Sequence, residues 1–342
     1  MAKKATVRII PRGGVSIVSC GNMLQTAFAA QAQLEKRGVP DVTVQELGIT
    51  RFPCGEVKPK IIENVRGKEV FFFFGFTNGN FNDEIMTLYL ALNALDKADC
   101  KRTTLMLPFF PYTRQDRKDE PRVPLSARAI IDLLCLSDSF ERIVTMDVHS
   151  EQIESSFPQK VKMDHVPGSL LMTAWVKETF KKKSLRDIVV IAPDNGSAKR
   201  AKKLARLISP DVPIAIFDKE RTKDGTELGA IIGASVVGKI CIINDDMIDT
   251  GGTIVDAANE LKRLGAKEVV ISATHPIFST KKGKTAYDTL ADAGVRVVVT
   301  NSLPTDQHDW LTVIPIGALL GDVIFENITP DGSVSKIING EK

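Results

Sequence analysis

The chain has 342 residues, and at about 150 residues per domain this length predicts two domains with room for a sizeable core. Hydrophobic residues make up 43% of the chain and charged residues 25%, and the longest apolar run, Val70 to Phe76, is far shorter than the roughly 18 residues that a membrane span needs. The net charge of +3 is too balanced for a surface that coats nucleic acid. We therefore expect a soluble protein that binds neither membranes nor nucleic acid.

The N-terminus and the cysteines predict where the protein resides. The basic start Met1–Lys4 leads into alternating apolar residues instead of an unbroken apolar core with a cleavage site, so no secretory signal is expected. The five cysteines are odd in number, widely spaced and without a Cys-x-x-Cys pair. We expect reduced thiols, a cytoplasmic protein and no zinc site.

Short β-branched and aromatic runs alternate with amphipathic segments, which predicts buried strands separated by helices. The predicted strands are Val70–Phe74, Thr103–Leu107, Arg142–Met146, Ile188–Ile191, Ile214–Phe217, Ile240–Ile243, Val269–Ser272 and Val295–Thr300. One intervening helix runs from about Thr253 to Leu264 with a single apolar stripe, and Gly265 ends it. Such alternation is typical of parallel sheets covered by helices, an α/β fold.

A weak internal repeat indicates two domains of the same kind. A strand, a helix and a second strand extend from Gly67 to Pro108, and the same order recurs from Gly238 to Pro276. His165, Pro167 and Gly168 interrupt the pattern between the two copies. We expect an N-terminal domain of residues 1–166 and a C-terminal domain of residues 167–342.

The segment from Ile240 to Thr253 combines a buried strand, an acidic stretch, a glycine turn and a helix start. Glycines let backbone N–H groups approach a ligand, and the helix start adds unpaired donors and a positive dipole end, so a phosphate fits the turn. Asp245 and Asp246 would repel that phosphate unless the ligand also offered hydroxyl donors nearby. A ribose 5-phosphate moiety offers both groups. The predicted ribose-phosphate site comprises Asp245, Asp246, Asp249, Thr250, Gly251, Gly252 and Thr253.

This segment resembles the phosphoribosyl diphosphate loop, and the chain from about Ser19 to Ser335 resembles the ribose-phosphate diphosphokinase family. The motifs that carry the resemblance are Arg51-Phe52, Gly55-Glu56, Asn82-Asp83, Arg114-Gln115-Asp116-Arg117-Lys118, Thr145-Met146-Asp147-Val148-His149, Pro193-Asp194 with Gly196, Lys199-Arg200-Ala201 and Thr274-His275-Pro276. Several are weak alone, but their order is specific. The resemblance implies two phosphoribosyltransferase-like domains and transfer of the diphosphoryl group of ATP to the 1-hydroxyl of ribose 5-phosphate, which yields phosphoribosyl diphosphate and AMP.

The charged run after the strand Thr103–Leu107 has two interpretations. Taken alone, Arg114 to Lys118 is a solvated surface run. At the carboxyl end of a strand, the same run can pair guanidinium groups with a triphosphate and an amide with an adenine edge. The resemblance implies ATP binding by Arg114, Gln115 and Asp116, with Phe52 and Glu56 contributing from a neighbouring loop or subunit.

The resemblance also implies a magnesium ion near ATP, held by His149 and Asp194. Magnesium prefers oxygen ligands and keeps several waters, so we expect one imidazole, one carboxylate, phosphate oxygens and water around the ion, and no closed protein cage. A lone histidine is otherwise most often structural.

Lys219 and Arg221 follow the strand Ile214–Phe217, and the stretch from Thr222 to Gly238 is poor in bulky side chains. This stretch is either a plain surface hairpin or a mobile lid. The resemblance implies a catalytic loop whose two basic residues reach the transferred group. Fixed cations there stabilise the transition state more than the ground state.

Four departures from the family pattern cluster around the expected ligands. Cys54 replaces the usual Asp or Asn of the nucleotide loop, Ser197 a usual glycine, Glu220 a basic residue of the lid, and Phe76 to Phe81 a small polar stretch. Two alternatives therefore accompany the main function: the same transfer to a larger 5-phosphoribosyl acceptor such as ADP-ribose, and a catalytically silent homologue that regulates an active partner. The resemblance further implies a homo-oligomer, a hexamer or its dimer unit.

Overall fold

A computed structural model describes residues 14–77, 79–222 and 225–340 of the protein, and at residues 151, 219–222 and 225–228 it describes the backbone alone. The basic start at Met1–Lys4 therefore lies outside the described residues. The chain forms two compact units: Met1–Val166 with Pro315–Lys342, and Pro167–Ile314. Helices and strands are numbered below in chain order.

The first unit contains a six-stranded sheet, a separate two-stranded hairpin and five helices. Its strands are β1 (Val15–Ser19), β2 (Thr43–Glu46), β3 (Gly48–Arg51), β4 (Val57–Lys60), β5 (Glu69–Phe73), β6 (Arg102–Met106), β7 (Phe140–Met146) and β8 (Lys162–Val166). Its helices are α1 (Leu24–Lys36), α2 (Phe81–Lys97), α3 (Ser126–Leu134), α8 (Gly317–Ile328) and α9 (Val334–Ile338). The sheet has the order β2-β1-β5-β6-β7-β8 with parallel pairing throughout, and β3 and β4 pair antiparallel.

The second unit contains a seven-stranded sheet with helices between its strands. Its strands are β9 (Ile188–Ala192), β10 (Ile214–Thr222), β11 (Gly225–Gly233), β12 (Ile240–Ile248), β13 (Glu268–Pro276), β14 (Arg296–Thr300) and β15 (Leu311–Ile314). Its helices are α4 (Ser169–Thr179), α5 (Ala198–Ile208), α6 (Gly252–Arg263) and α7 (Ala286–Ala293). The order is β11-β10-β9-β12-β13-β14-β15, and only the edge strand β11 pairs antiparallel.

The two sheets share one topology, which confirms the internal repeat. In each sheet the first strand pairs with the second on one side, and the chain then crosses to the other side and adds strands outward from there. The crossing falls between β1 and β5 in the first unit and between β9 and β12 in the second. In open parallel sheets the carboxyl ends of the strands at such a crossing form a crevice where ligands bind.

Buried aliphatic side chains explain why the second sheet forms. Val189, Ile191, Ile243 and Ile271 are all fully buried, and helix α6 covers one face of the sheet with Ala258 and its neighbours. On the opposite face, α4 and α5 cover the alternate residues of the same strands. Because both faces are buried, the strands read in sequence as continuous apolar runs.

The strands predicted from sequence all form, with shifted ends. Strand β12 continues through Asp245 and Asp246 to Ile248, and β10 continues to Thr222. The predicted strands stopped where the apolar residues give way to polar ones. In the structure, backbone pairing of β12 with β13 and of β10 with β11 continues beyond that point. Helix α6 begins at Gly252, one residue before the predicted start.

The division of the chain agrees with the predicted boundary at 166/167 but differs at the C-terminus. Residues 167–342 were predicted to form one domain, whereas Pro315–Lys342 belongs to the first unit. The reason is packing: Gly317 and Gly321 of α8 lie directly against the backbone of α1, where a Cβ at Gly321 would meet the Ala30 carbonyl oxygen at 2.7 Å.

None of the helices in the described part of the chain combines the length and the apolar character needed to cross a bilayer.

Candidate functional site

The crevice between β9 and β12 gathers polar side chains at the carboxyl ends of two neighbouring parallel strands. Asp194 lies two residues after the end of β9, and Asp245 and Asp246 lie near the end of β12. The loop from Asp249 to Gly252 connects β12 to α6 at the same end of the sheet. The predicted ribose-phosphate residues are therefore brought together at the strand crossing of the second unit.

The loop before α6 has the geometry of an anion site. Gly251 adopts φ 81°, a left-handed conformation that costs glycine little. No side chain caps the helix start, and the first turn carries no acidic residue. The N-cap residue Gly251 has no side chain that could occupy the first N–H groups of the helix, and no acidic side chain in the first turn offsets the helix dipole, an arrangement that favours a phosphate.

Arg200 holds the two carboxylates of β12. Its guanidinium nitrogen Nη2 donates to Asp245 Oδ1 at 2.8 Å and to Asp246 Oδ1 at 3.2 Å. Asp246 is 3% exposed, so this cation offsets a carboxylate that is almost entirely removed from water. The arrangement keeps two adjacent carboxylates together as acceptors for hydroxyl donors.

Burial and the neighbouring Asp246 charge raise the pKa of Asp245 to about 7, and the Arg200 cation opposes this rise.

Asp194 is fixed by the turn that follows β9. Its Oδ1 atom accepts hydrogen bonds from the Ser197 backbone N–H at 2.9 Å and from the Ser197 hydroxyl at 2.7 Å. The same hydroxyl lies 3.4 Å from Asp245 Oδ1. Ser197 thus connects the predicted metal ligand Asp194 with the predicted ribose site.

Arg200 has no role among the site residues predicted from sequence. One signal was present: Lys199 and Arg200 lie in the first turn of α5, where the helix dipole disfavours cations. A basic first turn therefore indicates acidic partners nearby.

In the first unit, the hairpin β3–β4 carries the predicted nucleotide residues Phe52 and Glu56. Its turn is closed by hydrogen bonds from Phe52 N–H to Glu56 O and from Gly55 N–H to Phe52 O, both 2.9 Å long. The Phe52 ring is 41% exposed, and Lys58 Nζ lies 5.7 Å from its centroid. A cavity of about 420 Å³ adjoins this turn, and its lining includes Phe52, Glu56 and, from α2, Met86 and Leu90. Cys54 is exposed at the tip of the turn.

The run from Arg114 to Lys118 lies in the loop between β6 and α3 of the first unit. Gln115 is held there because its Oε1 atom accepts a hydrogen bond from Ser126 Oγ at 2.6 Å, at the start of α3. Its amide NH₂ group is the part that remains for a ligand edge. Arg114 is exposed and Asp116 is half-buried, so their charges face or approach solvent.

His149 follows β7 and is exposed. The backbone before it turns sharply at Asp147, which has φ 30°, and Asp147 Oδ1 lies 3.9 Å from His165 Nε2. His149 belongs to the first unit and Asp194 to the second. Within the described residues, no group of three or more His, Cys, Asp and Glu side chains is arranged to hold a metal ion.

Lys219 and Arg221 lie on β10, in the hairpin that β10 forms with β11. The backbone of Lys219 faces Leu228 and that of Arg221 faces Thr226, and the pairing shifts register between Phe217 and Lys219. The side chains of Lys219, Glu220 and Arg221 lie outside the described residues. The described backbone of this segment pairs as an antiparallel hairpin, a geometry that both interpretations from sequence accommodate.

Two family models match the chain. Residues 18–137 match the N-terminal domain of ribose phosphate pyrophosphokinase, and residues 169–301 match a phosphoribosyl transferase domain. Together the two models cover most of both units.

Relatives of known name match along nearly the whole chain. A ribose-phosphate pyrophosphokinase of Corynebacterium efficiens is 38% identical over 328 residues, which cover 94% of this chain and 97% of the relative. One of Haemophilus influenzae is 36% identical over 303 residues, which cover 87% and 92%. The crystal structure of phosphoribosylpyrophosphate synthetase from Mycobacterium smegmatis matches with a TM-score of 0.76 at 35% identity and covers 91% of this chain and 99% of that one. These findings confirm the predicted fold class of two phosphoribosyltransferase-like domains.

Proposed function

Because the chain belongs to the ribose-phosphate pyrophosphokinase family and is an enzyme of the ribose-phosphate diphosphokinase type, we propose that it transfers the diphosphoryl group of ATP to ribose 5-phosphate. The ribose 1-hydroxyl attacks the β-phosphorus, a new oxygen–phosphorus bond forms, and the bond from the β-phosphorus to the oxygen bridging it to the α-phosphorus breaks. AMP leaves with that oxygen, and the hydroxyl proton passes to solvent. The products are phosphoribosyl diphosphate and AMP.

One observation carries the proposal: the second unit places an uncapped helix start beside a pair of carboxylates. The start of α6 suits the 5-phosphate, and Asp245 and Asp246 suit ribose hydroxyls, while Arg200 offsets their charge. A phosphate alone would not call for carboxylates at this position. A sugar phosphate uses both features.

The nucleotide is assigned to residues of the first unit. Phe52 offers an exposed ring for stacking a base, and Glu56 lies in the same turn and lines the same cavity. Arg114 offers an exposed guanidinium group to the phosphates, and Gln115 a positioned amide.

The residues present fit a magnesium ion. Asp194 offers an oxygen ligand at a strand end, where Ser197 fixes its carboxylate, and His149 offers an exposed imidazole. Mg²⁺ takes most of its ligands from water and phosphate oxygens, so it needs no closed protein cage. When bound, the cation would offset the charge of the triphosphate. Lys219 and Arg221 are assigned to the charge that develops on the transferred group.

Product analysis by mass tests the reaction. The enzyme is incubated with ATP and magnesium together with ribose 5-phosphate, ADP-ribose or no acceptor. We expect AMP and phosphoribosyl diphosphate in equal amounts with ribose 5-phosphate, and no AMP without metal. Stoichiometric ADP with every acceptor would contradict diphosphoryl transfer.

The larger acceptor receives less support from the structure. Phe76, one of the substitutions that suggested it, is 1% exposed and packs between Phe74 and Phe81 at centroid distances of 5.4 and 5.7 Å. This substitution is therefore part of the core of the first unit. Equal or better turnover of ADP-ribose in the same assay would favour the alternative.

We infer self-association from exposed apolar side chains around the hairpin β3–β4. Ile62 is 58% exposed, Met86 on α2 is 47% exposed, and Ile49 and Phe52 are also exposed. A surface of this kind is typical of an interface between protein chains. Sedimentation velocity would show an oligomer if this inference is right and a monomer if it is wrong.

A further inference from the structure

Ser197 occupies a buried position between two acidic groups of the second unit. It is 1% exposed and ends the short turn that leads from β9 into α5. Its hydroxyl oxygen lies 2.7 Å from Asp194 Oδ1 and 3.4 Å from Asp245 Oδ1. One hydroxyl group therefore contacts both the predicted metal ligand and the predicted ribose site.

A serine hydroxyl carries a single proton, so it donates fully to only one carboxylate at a time. In the structure the shorter contact is to Asp194, which also accepts from the Ser197 backbone N–H. Asp245 Oδ1 receives stronger donors as well, from Arg200 at 2.8 Å and from the Asp246 backbone N–H at 2.9 Å. A cation bound to Asp194 would draw on the oxygens of that carboxylate and weaken its hold on the hydroxyl proton. The oxygen is already close enough to Asp245 for the proton to turn there without movement of the backbone.

We propose that the Ser197 hydroxyl is a positioning group that couples cation binding at Asp194 to ribose 5-phosphate binding at Asp245. This inference rests on the proposed function. With a cation on Asp194, the hydroxyl donates to Asp245 Oδ1 and orients that carboxylate for the sugar hydroxyls. By linkage, bound sugar phosphate favours the cation to the same degree.

The test measures binding without turnover. Ribose 5-phosphate is titrated calorimetrically into the nucleotide-free protein, with magnesium chloride at saturation and with the metal removed by chelation. The ratio of the two dissociation constants is the coupling factor. We expect a factor of about 5 or more in the unaltered protein and a factor near 1 in Ser197→Ala, which keeps the backbone hydrogen bond to Asp194.

Two further variants separate the hydroxyl from general effects on structure. Ser197→Gly also lacks the hydroxyl and should show the same loss of coupling. Ser272→Ala removes another hydroxyl that is 1% exposed but bonds to Asn244 and a backbone carbonyl, and it should retain the coupling factor. A Ser197→Ala protein with undiminished coupling would overturn this inference alone. Failure of the unaltered protein to bind ribose 5-phosphate under either condition would overturn the proposed function and this inference with it.

Discussion

At the scale of single residues, Arg200 decides how the two carboxylates of the proposed ribose site are held together. It lies in the first turn of α5, where a cation opposes the helix dipole, and it is placed there by two carboxylates at 2.8 and 3.2 Å. Without it, Asp245 and Asp246 would be two neighbouring and poorly solvated charges. We therefore regard Arg200 as a positioning residue for the sugar.

Replacing Arg200 by Gln should raise the KM for ribose 5-phosphate at least about tenfold, because breaking a buried ion pair leaves its partner uncompensated. The KM for ATP should change little. Steady-state kinetics with each substrate varied in turn measures both values, and Arg200→Lys, which keeps the charge, should recover part of the loss. An equal rise in both KM values would indicate general disruption instead.

The raised pKa of Asp245 predicts how stability depends on pH. Because the folded pKa of about 7 exceeds the ordinary value of 3.8, the native protein holds more protons than the unfolded chain between these values, and its stability falls as the pH rises from about 4 to 7. Asp245→Asn cannot ionise and escapes this loss. Relative to the unaltered protein, the free energy of unfolding of Asp245→Asn should increase from about pH 4 to pH 7. The increase should be at least about 1.4 kcal/mol, which is the equivalent of one pKa unit.

Urea unfolding of the metal-free protein at several pH values checks this expectation. Both tryptophans, Trp175 and Trp310, lie in the second unit, so their fluorescence reports the unit that contains Asp245. Asp211→Asn, at an exposed position after α5, is the matched control and should show no such trend. A parallel pH dependence of Asp245→Asn and the unaltered protein would contradict the raised pKa.

Cys54 bears on the choice of nucleotide. A thiol accepts hydrogen bonds poorly, so the exposed Cys54 near Phe52 offers a nucleotide base only a weak acceptor. We expect the enzyme to discriminate ATP from GTP by less than the roughly 1–3 kcal/mol that one polar contact supplies, and Cys54→Asp to sharpen the preference for ATP. The measurement is kcat/KM for both nucleotides, with Cys54→Ser as control. Strict ATP use that Cys54→Asp leaves unaltered would make the substitution neutral.

These residues show what sequence alone could and could not predict. The strand–turn–helix arrangement of the proposed ribose-phosphate loop was predictable because strand, acidic stretch, glycines and helix are contiguous from Ile240 to Thr253. Arg200 was not, since its partners are 45 and 46 positions away and only the parallel pairing of β9 with β12 brings them together. The same holds for Ser197, whose contact with Asp245 spans 48 positions.

At the scale of elements, the hairpin β10–β11 extends the second sheet beyond its apolar part. Phe217 is fully buried, whereas the pairing shifts register just after it, and Lys219 and Arg221 follow in the part of β10 that pairs only with β11. An antiparallel hairpin at the edge of a sheet extends the backbone beyond the sheet without adding side chains to the core. It is thus a suitable carrier for residues that act on a ligand.

Lys219→Ala and Arg221→Ala should each lower kcat by about a hundredfold or more while changing the KM for ATP much less, as expected for cations used mainly in the transition state. Single-turnover kinetics separates the chemical step from product release. Lys202→Ala, an exposed lysine on α5, serves as control and should retain full turnover. Normal turnover with weakened ATP binding in either hairpin variant would reassign the residue to nucleotide binding.

At the scale of the whole molecule, the two units share one strand topology, but different side chains lie at the strand crossing of each unit. In the second unit the crossing carries Asp194, Asp245 and the glycine loop. In the first unit the residues after β5 are Phe74 and Phe76, each 1% exposed and stacked edge to face. The duplicated topology could be predicted from the sequence. The burial of the aromatic side chains could not, because a substitution at Phe76 is equally compatible with a residue that faces a ligand. The burial of Phe76 is consistent with the proposal that the sugar binds in the second unit.

The C-terminal return to the first unit was the part of the fold that the sequence did not reveal. Helix α8 follows β15 without a break in pattern, so it reads as part of the second domain. Close packing against α1 overrides this order, and Arg37 of α1 adds contacts to Glu326 at 3.0 Å and to the Phe325 ring at 4.1 Å. The first unit therefore needs the end of the chain for a complete core, whereas the second unit is continuous in sequence.

Gly321→Leu should selectively destabilise the first unit. The new side chain has no room, because a Cβ there would lie 2.7 Å from both the Ala30 carbonyl oxygen and Gln33 Cβ, so α8 must move away from α1. We expect a loss of about 3 kcal/mol, at the upper end of the cost of overpacking. In a urea titration, circular dichroism should show an early transition that the tryptophan fluorescence of the second unit does not follow.

Ala318→Leu, on an exposed position of the same helix, should leave both signals unchanged. If fluorescence and circular dichroism shifted together in Gly321→Leu, the two units would unfold as one, and α8 would not stabilise the first unit alone.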